Sequence, residues 1–246
     1  MNVFALFNLP NILTLINLFS GCVAVVFLFN YRVELVPYCV LVSLIADFFD
    51  GFAARFTNNP TNLGKQLDSL ADVISFGLVP GAVIFQLLFQ KYESGLVVYS
   101  PAKMYIYSAP AFLLTLCAAL RLAKFNIDER QHDSFLGLAT PAATIFVIGY
   151  LLTFLKNSFG LAPYIFDVKI LYSITLVLSV LMLVEIPMFS LKFKSFGWKG
   201  NETVYLFIIA SLILLATLKF AALALIIVLY VIVSIITNAL KETTKN

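Results

Sequence analysis

The sequence predicts an all-α polytopic membrane protein, a bundle of about eight transmembrane helices with a site facing the cytoplasm. Three observations carry that prediction. Of the 246 residues, 61% are hydrophobic and 12% are charged, against roughly half and a quarter in a soluble domain. The apolar residues fall into runs near the ~20 residues that cross a bilayer, and a backbone in lipid must satisfy its polar groups within helices. The polar residues are concentrated: four carboxylates, one arginine and two glycines fall between Asp47 and Asp72. A formal charge of +3 without a basic-aromatic stripe excludes nucleic acid as a partner.

The apolar runs cover 12–30, 35–55, 68–90, 104–125, 139–157, 170–188, 203–218 and 220–240. Before the first, Phe4, Leu6, Phe7 and Leu9 form either a short interfacial entry or the start of the span itself, with Pro10 at its first turn. Phe19-Ser20-Gly21-Cys22 faintly resembles a lipoprotein cleavage box. No Lys or Arg precedes Arg32, so the first run is read as a retained span. Lys219 separates the last two runs, which predicts a tight helical hairpin. Two units are expected: a membrane domain over 1–190, which carries the carboxylates, and a C-terminal two-span hairpin over 191–246. Cys22, Cys39 and Cys117 lie in apolar runs without metal-ligand spacing and are read as packing residues.

Basic residues set orientation. With both termini in the cytoplasm, ten Lys and Arg lie on that side and six on the other. The same choice places the carboxylates at the cytoplasmic boundary.

Asp47, Asp50, Gly51, Ala54 and Arg55 recur at i, i+3, i+4, i+7 and i+8, which puts them on one helix face. Asp68 and Asp72 share a face of the next helix, and Asn58-Asn59-Pro60-Thr61-Asn62 marks a turn between the two. A helical hairpin then brings the acidic faces together. Carboxylates so close repel one another unless cations neutralise them. The oxygen ligands suit Mg²⁺ or Mn²⁺, and two ions ~3.5–4 Å apart can clamp a phosphoryl group. Gly51, Ala54 and Gly64 leave room for a ring or ribose to approach the backbone, and Arg55 can grip a phosphate.

The pattern Asp47-x2-Asp50-Gly51-x2-Ala54-Arg55-x8-Gly64-x3-Asp68-x3-Asp72 resembles the signature of the CDP-alcohol phosphotransferases at every fixed position. Four further segments resemble the membrane-embedded phosphatidylserine synthases of that family. They are Leu9-Pro10-Asn11-Ile12-Leu13-Thr14-Leu15-Ile16-Asn17, Ser69 to Gly77, Ala119-Leu120-Arg121-Leu122-Ala123-Lys124-Phe125-Asn126, and Phe135 to Ala143. In the last, Ala139-Thr140-Pro141 departs from the Pro-x-Pro common in relatives.

The resemblance implies transfer of a phosphatidyl group from CDP-diacylglycerol to the hydroxyl of L-serine, with release of CMP and no covalent enzyme intermediate. It implies that Asp47, Asp50, Asp68 and Asp72 hold the metals and that Asp72 is also the general base. It places cytidine against Gly51, Ala54 and Gly64, and phosphate against Arg55. Asn11, Thr14 and Asn17 recur at three-residue steps; they either border the nucleotide or serve as caps and interhelical hydrogen bonds. Arg121 suits a serine carboxylate. Asn126 is a second candidate for that pocket or orients the lipid phosphate, and Lys124 either joins the pocket or snorkels to the interface. Glu185 is read as a structural partner of Lys192 and Lys194, and His132 is given no role. A homodimer and a bacterial inner membrane are further implications of the resemblance.

Two rival readings remain. A sister enzyme would use glycerol 3-phosphate or inositol phosphate as acceptor. A divalent-cation transporter would spread its acids through the membrane depth, whereas these cluster at one boundary beside Arg55.

Overall fold

The computed structural model describes residues 7–56, 61–95, 97, 99–128, 135–189, 197–198 and 200–243. Its helices are α1 (Leu9–Phe29), α2 (Val36–Phe56), α3 (Asn62–Asp72), α4 (Val79–Glu93), α5 (Pro101–Ser108), α6 (Leu113–Ile127), α7 (Thr140–Leu155), α8 (Ala162–Ile165), α9 (Val168–Leu183), α10 (Glu202–Leu218) and α11 (Ala221–Thr243). Two short strands, β1 (Phe135–Leu136) and β2 (Pro187–Met188), pair antiparallel. Among the described residues, five helical stretches are long and apolar enough to cross a membrane: Leu9–Phe29, Val33–Phe56, Asn62–Glu93, Pro101–Ile127 and Ala221–Leu240. Thr140–Leu155, Val168–Leu183 and Glu202–Leu218 are shorter apolar helices. This is an integral membrane protein, and its helices correspond to the predicted apolar runs.

The outer faces are what lipid requires. Ile12, Ile16, Phe19 and Val26 on α1 are exposed, as are Leu41, Ile45, Phe48 and Phe52 on α2. With hydrocarbon outside, burial of apolar area cannot alone select the helix contacts. Small residues and hydrogen bonds must contribute. Ser20 donates to the Cys39 carbonyl at 2.8 Å, and Ser43 donates to the Asn17 carbonyl at 3.2 Å, both stitching α1 to α2.

The third span differs from its predicted run. It begins at Asn62 rather than near residue 68, because Thr61 caps it: its hydroxyl accepts the Gly64 N–H at 3.0 Å. The helix therefore starts in polar sequence, and Asp68 and Asp72 project from its second and third turns. Directly after Asp72, residues Val73–Leu78 widen into a π-helical turn before α4 resumes. Such a turn loosens the backbone hydrogen-bond ladder, and in lipid the freed groups need partners. Thr144 of α7 donates to the Phe76 carbonyl at 3.0 Å, and Thr115 of α6 donates to the Gly77 carbonyl at 3.0 Å. Ser75 donates back to the Asn17 carbonyl at 2.9 Å. The segment behind Asp72 is thus pinned by three neighbouring helices.

The sixth run was expected to continue to residue 188, yet α9 stops at Leu183. Pro187 has no N–H to donate and disfavours helical geometry at the preceding residue. The chain becomes extended there and pairs with β1, Phe135 opposite Met188 and Leu136 opposite Pro187. At the other predicted hairpin, Lys219 adopts φ of 50° between α10 and α11, the tight reversal the sequence indicated.

Candidate active site

α1, α2 and α3 build an acidic cleft. One oxygen from each of Asp47, Asp50 and Asp68 lies within 4.8 Å of the others. Asp50 is buried, and the other two are half-buried. The predicted hairpin therefore brings these three carboxylates together, although part of the predicted turn, residues 57–60, lies outside the described residues. Asp68 Oδ1 is buried with no hydrogen-bond partner among the described residues. An unsatisfied carboxylate oxygen beside two further carboxylates is costly, and a hard cation would satisfy it. The oxygen-only donor set fits a divalent ion of that kind.

Asp72 stands apart from this trio. It is buried, and Asn17 Nδ2 donates to its Oδ1 at 3.1 Å. Asp47, Asp68 and Asp50 are all within electrostatic reach of it, as is Arg121. Asp72 is thus within electrostatic reach of both the acidic trio and Arg121, the one buried arginine among the described residues.

Beside the trio opens a cavity of about 210 Å³. Of the residues assigned to the nucleotide, Asn11, Thr14, Gly51, Ala54 and Gly64 line it. A side chain added at Gly51 would meet nothing within 4 Å, so the backbone there faces open space. At Gly64 an added Cβ would lie 3.2 Å from Asn11 Oδ1 and 3.1 Å from Thr61 Oγ1, so glycine keeps α3 close to α1. Arg55 is exposed on the last turn of α2 and is not among the lining residues.

The two readings of Asn11, Thr14 and Asn17 divide by residue. Thr14 Oγ1 lies 2.7 Å from Asp50 Oδ2 as its donor, and 3.1 Å from the Pro10 carbonyl. Asn17 holds Asp72 and does not line the cavity. Both orient a carboxylate across a helix interface, and Thr14 also reaches the cavity wall. Asn11 lines the cavity, and its backbone N–H is capped by Asn8 at 2.9 Å.

Sequence reasoning missed Asn8, Thr61 and Lys65, which also line the cavity. The signals were present. Asn8 precedes Pro10 at the start of an apolar run, and Thr61 stands three residues before Gly64, as N-caps do. Their consequence is that the N-termini of α1 and α3 both border the cavity. The partial positive charge of helix N-termini favours an anionic occupant.

A second feature lies at the end of α6. Arg121 is 8% exposed, and its Nε has no hydrogen-bond partner among the described residues. It lines a small hollow with Lys124, Phe125, Leu136, Met182, Leu183 and Val184. Lys124 is at the exposed rim, where its Nζ pairs with Glu185 Oε1 at 2.6 Å. Glu185 is thus in a structural pair with Lys124 of α6; the expected partners Lys192 and Lys194 lie outside the described residues. Asn126 faces α3 instead. Its Nδ2 donates to Ser69 Oγ at 2.8 Å, its backbone carbonyl accepts Lys65 Nζ at 2.9 Å, and its buried Oδ1 has no partner among the described residues. His132 lies outside the described residues.

Residues 7–187 match the sequence model of the CDP-alcohol phosphatidyltransferase family, which covers α1 through the start of β2. The chain belongs to this family. Among curated proteins it is similar to two from Helicobacter pylori strains, each named CDP-diacylglycerol--serine O-phosphatidyltransferase. That from strain ATCC 700392 / 26695 is 30% identical over 238 residues, 96% of this chain and 93% of the relative. A Bacillus subtilis protein of the same name is 29% identical over 160 residues, 63% of this chain and 80% of the relative. One from Methanocaldococcus jannaschii is 32% identical over 143 residues, 58% of this chain and 60% of the relative. Divalent-metal dependence of the family agrees with the acidic trio. α10 and α11 lie beyond the matched family segment.

Proposed function

We propose that this protein transfers the phosphatidyl group of CDP-diacylglycerol to the hydroxyl of L-serine, giving phosphatidylserine and CMP. The observation that carries the reading is the convergence of Asp47, Asp50 and Asp68 within 4.8 Å beside a cavity bordered by two helix N-termini. The names and coverage of the relatives support serine as the acceptor.

Asp47, Asp50 and Asp68 would hold Mg²⁺ or Mn²⁺, and Asp72, outside the trio but within electrostatic reach of it, would be a further ligand. When bound, two such ions supply charge neutralisation for the diphosphate and for the departing CMP. Thr14 fixes the Asp50 carboxylate from α1. The cavity over Gly51, Ala54 and Gly64 receives the cytidine, and the N-termini of α1 and α3 favour the anionic part of the substrate. Arg55 faces phosphate outside the cavity wall.

Asn17 orients Asp72, which takes the proton from the serine hydroxyl as that oxygen attacks the β-phosphorus. The new bond joins serine oxygen to phosphorus, and the bond from phosphorus to the CMP oxygen breaks. Arg121 holds the serine carboxylate. Its unpartnered Nε, enclosed by apolar side chains, favours an anion in that position. The cleft faces the cytoplasm, and the protein works as a dimer in a bacterial inner membrane.

The test is CMP release by purified protein in detergent with Mn²⁺ or Mg²⁺. L-serine, glycerol 3-phosphate and inositol phosphate are compared as acceptors. Serine-dependent release with a phosphatidylserine product is expected. Release with a phosphorylated acceptor alone would keep the acidic cleft and overturn the acceptor.

A further inference from the structure

The two C-terminal helices lie outside the family segment, and phosphatidyl transfer gives them no role. They differ in how they pack. α10 buries Val204 and Phe207 but leaves Leu206, Ile209, Leu212 and Ile213 exposed. α11 is held tightly against α7: a Cβ at Gly149 would lie 2.6 Å from Leu223 Cβ and 2.7 Å from the Ala224 nitrogen, so only glycine permits this crossing.

α11 also carries a polar stripe in otherwise apolar sequence. Tyr230, Ser234 and Asn238 recur every four residues and therefore share one face. All three bond the same extended segment. Tyr230 donates to the Phe189 carbonyl at 3.1 Å, Ser234 Oγ accepts the Phe189 N–H at 3.3 Å, and Asn238 donates to the Pro187 carbonyl. Polar groups in an apolar helix are retained at a cost unless partnered, and here each of the three reaches β2 or the residue after it, Ser234 Oγ also donating to the Tyr230 carbonyl at 2.8 Å.

That segment leads to Arg121. β2 pairs with β1, and the connection continues as Gly137 N–H donates to the Ile186 carbonyl at 2.9 Å and Leu138 N–H to the Leu181 carbonyl at 2.8 Å. Gly137 has φ of 73°, and a Cβ there would lie 2.7 Å from the Val184 carbonyl, so the turn sits directly on the end of α9. Leu136 of β1, Met182 and Leu183 of α9, and Val184 just after it wall the Arg121 hollow together with Lys124 and Phe125. Tyr230 itself lies within electrostatic reach of the guanidinium.

We infer that α11 is a positioning element of the acceptor pocket: Tyr230, Ser234 and Asn238 hold the clasp of β1 and β2 over Arg121 and so fix the guanidinium for the carboxylate of the acceptor. This rests on the reading of Arg121 as the serine-binding group. None of the three residues is catalytic, since they act on the backbone that walls the site.

The test compares Tyr230→Phe, the double variant Tyr230→Phe/Ser234→Ala, Asn238→Leu at the exposed end of the stripe, and Arg121→Lys. KM for L-serine, KM for CDP-diacylglycerol, kcat and thermal midpoint are measured in detergent with Mn²⁺. Loss of one hydrogen bond should raise KM for serine about fivefold, and the double loss about tenfold or more. KM for CDP-diacylglycerol should stay within about twofold. Parallel rises in both KM values, or a fall in kcat alone, would reduce the stripe to a packing device and overturn the inference. So would an unchanged serine KM in the stripe variants while Arg121→Lys raises it. If Arg121→Lys also left the serine KM unchanged, the acceptor reading would fall first and this inference with it.

Discussion

The carboxylate cleft and the Arg121 hollow, both within electrostatic reach of Asp72, handle charge in opposite ways. In the cleft, oxygens of Asp47, Asp50 and Asp68 crowd within 4.8 Å beside an open cavity, and Asp68 Oδ1 has no hydrogen-bond partner among the described residues. In the hollow, a single guanidinium is walled by Phe125, Leu136, Met182 and Leu183, and its Nε has no such partner. The first arrangement calls for a cation and the second for an anion. Asp72 accepts from Asn17 and is followed by the pinned π-helical turn, and the proposed reaction uses it as the proton acceptor.

The contrast can be broken most sharply from the cleft. Excess EDTA should reduce CMP release to background, with recovery on adding Mn²⁺ or Mg²⁺, because several kcal/mol of charge stabilisation depend on the ions. Full turnover in excess chelator would remove metal from the cleft. Next in size is the shared residue. Asp72→Asn should lower kcat by about 10²- to 10⁴-fold while CDP-lipid binding is largely retained; near-native turnover would show that another group accepts the proton.

The hollow should respond differently. Arg121→Ala is expected to raise KM for serine by about 10- to 100-fold, the loss of a charged hydrogen bond, with little change for CDP-diacylglycerol. Equal losses toward both substrates would move Arg121 out of the acceptor pocket. Lys124→Ala should be smallest, no more than about fivefold on either KM, since its pair with Glu185 is at an exposed rim. An effect as large as that of Arg121→Ala would put the ammonium in contact with serine.

How much of this was legible beforehand follows the range of the interactions. The acidic face of α2 could be read because helical spacing places Asp47, Asp50, Gly51 and Ala54 together without knowledge of any neighbour. The convergence of Asp68 needed only a short turn. Asn17 and Asp72 are 55 residues apart, and no local rule pairs them. The same holds for Lys124 and Glu185, 61 apart. The π-helical turn left no local signal either, because its partners Thr115 and Thr144 come from other helices. The polar stripe of α11 is visible in sequence as a four-residue repeat, but its target is not.

The most direct test of transfer between cleft and hollow is stereochemical. CDP-diacylglycerol made chiral at the β-phosphorus with sulfur would be turned over with L-serine, and the configuration of the phosphatidylserine product determined. A single in-line displacement, with serine entering opposite the departing CMP, predicts inversion. Retention would require two successive displacements through an enzyme-bound phosphatidyl group and would contradict direct attack by the hydroxyl that Asp72 deprotonates.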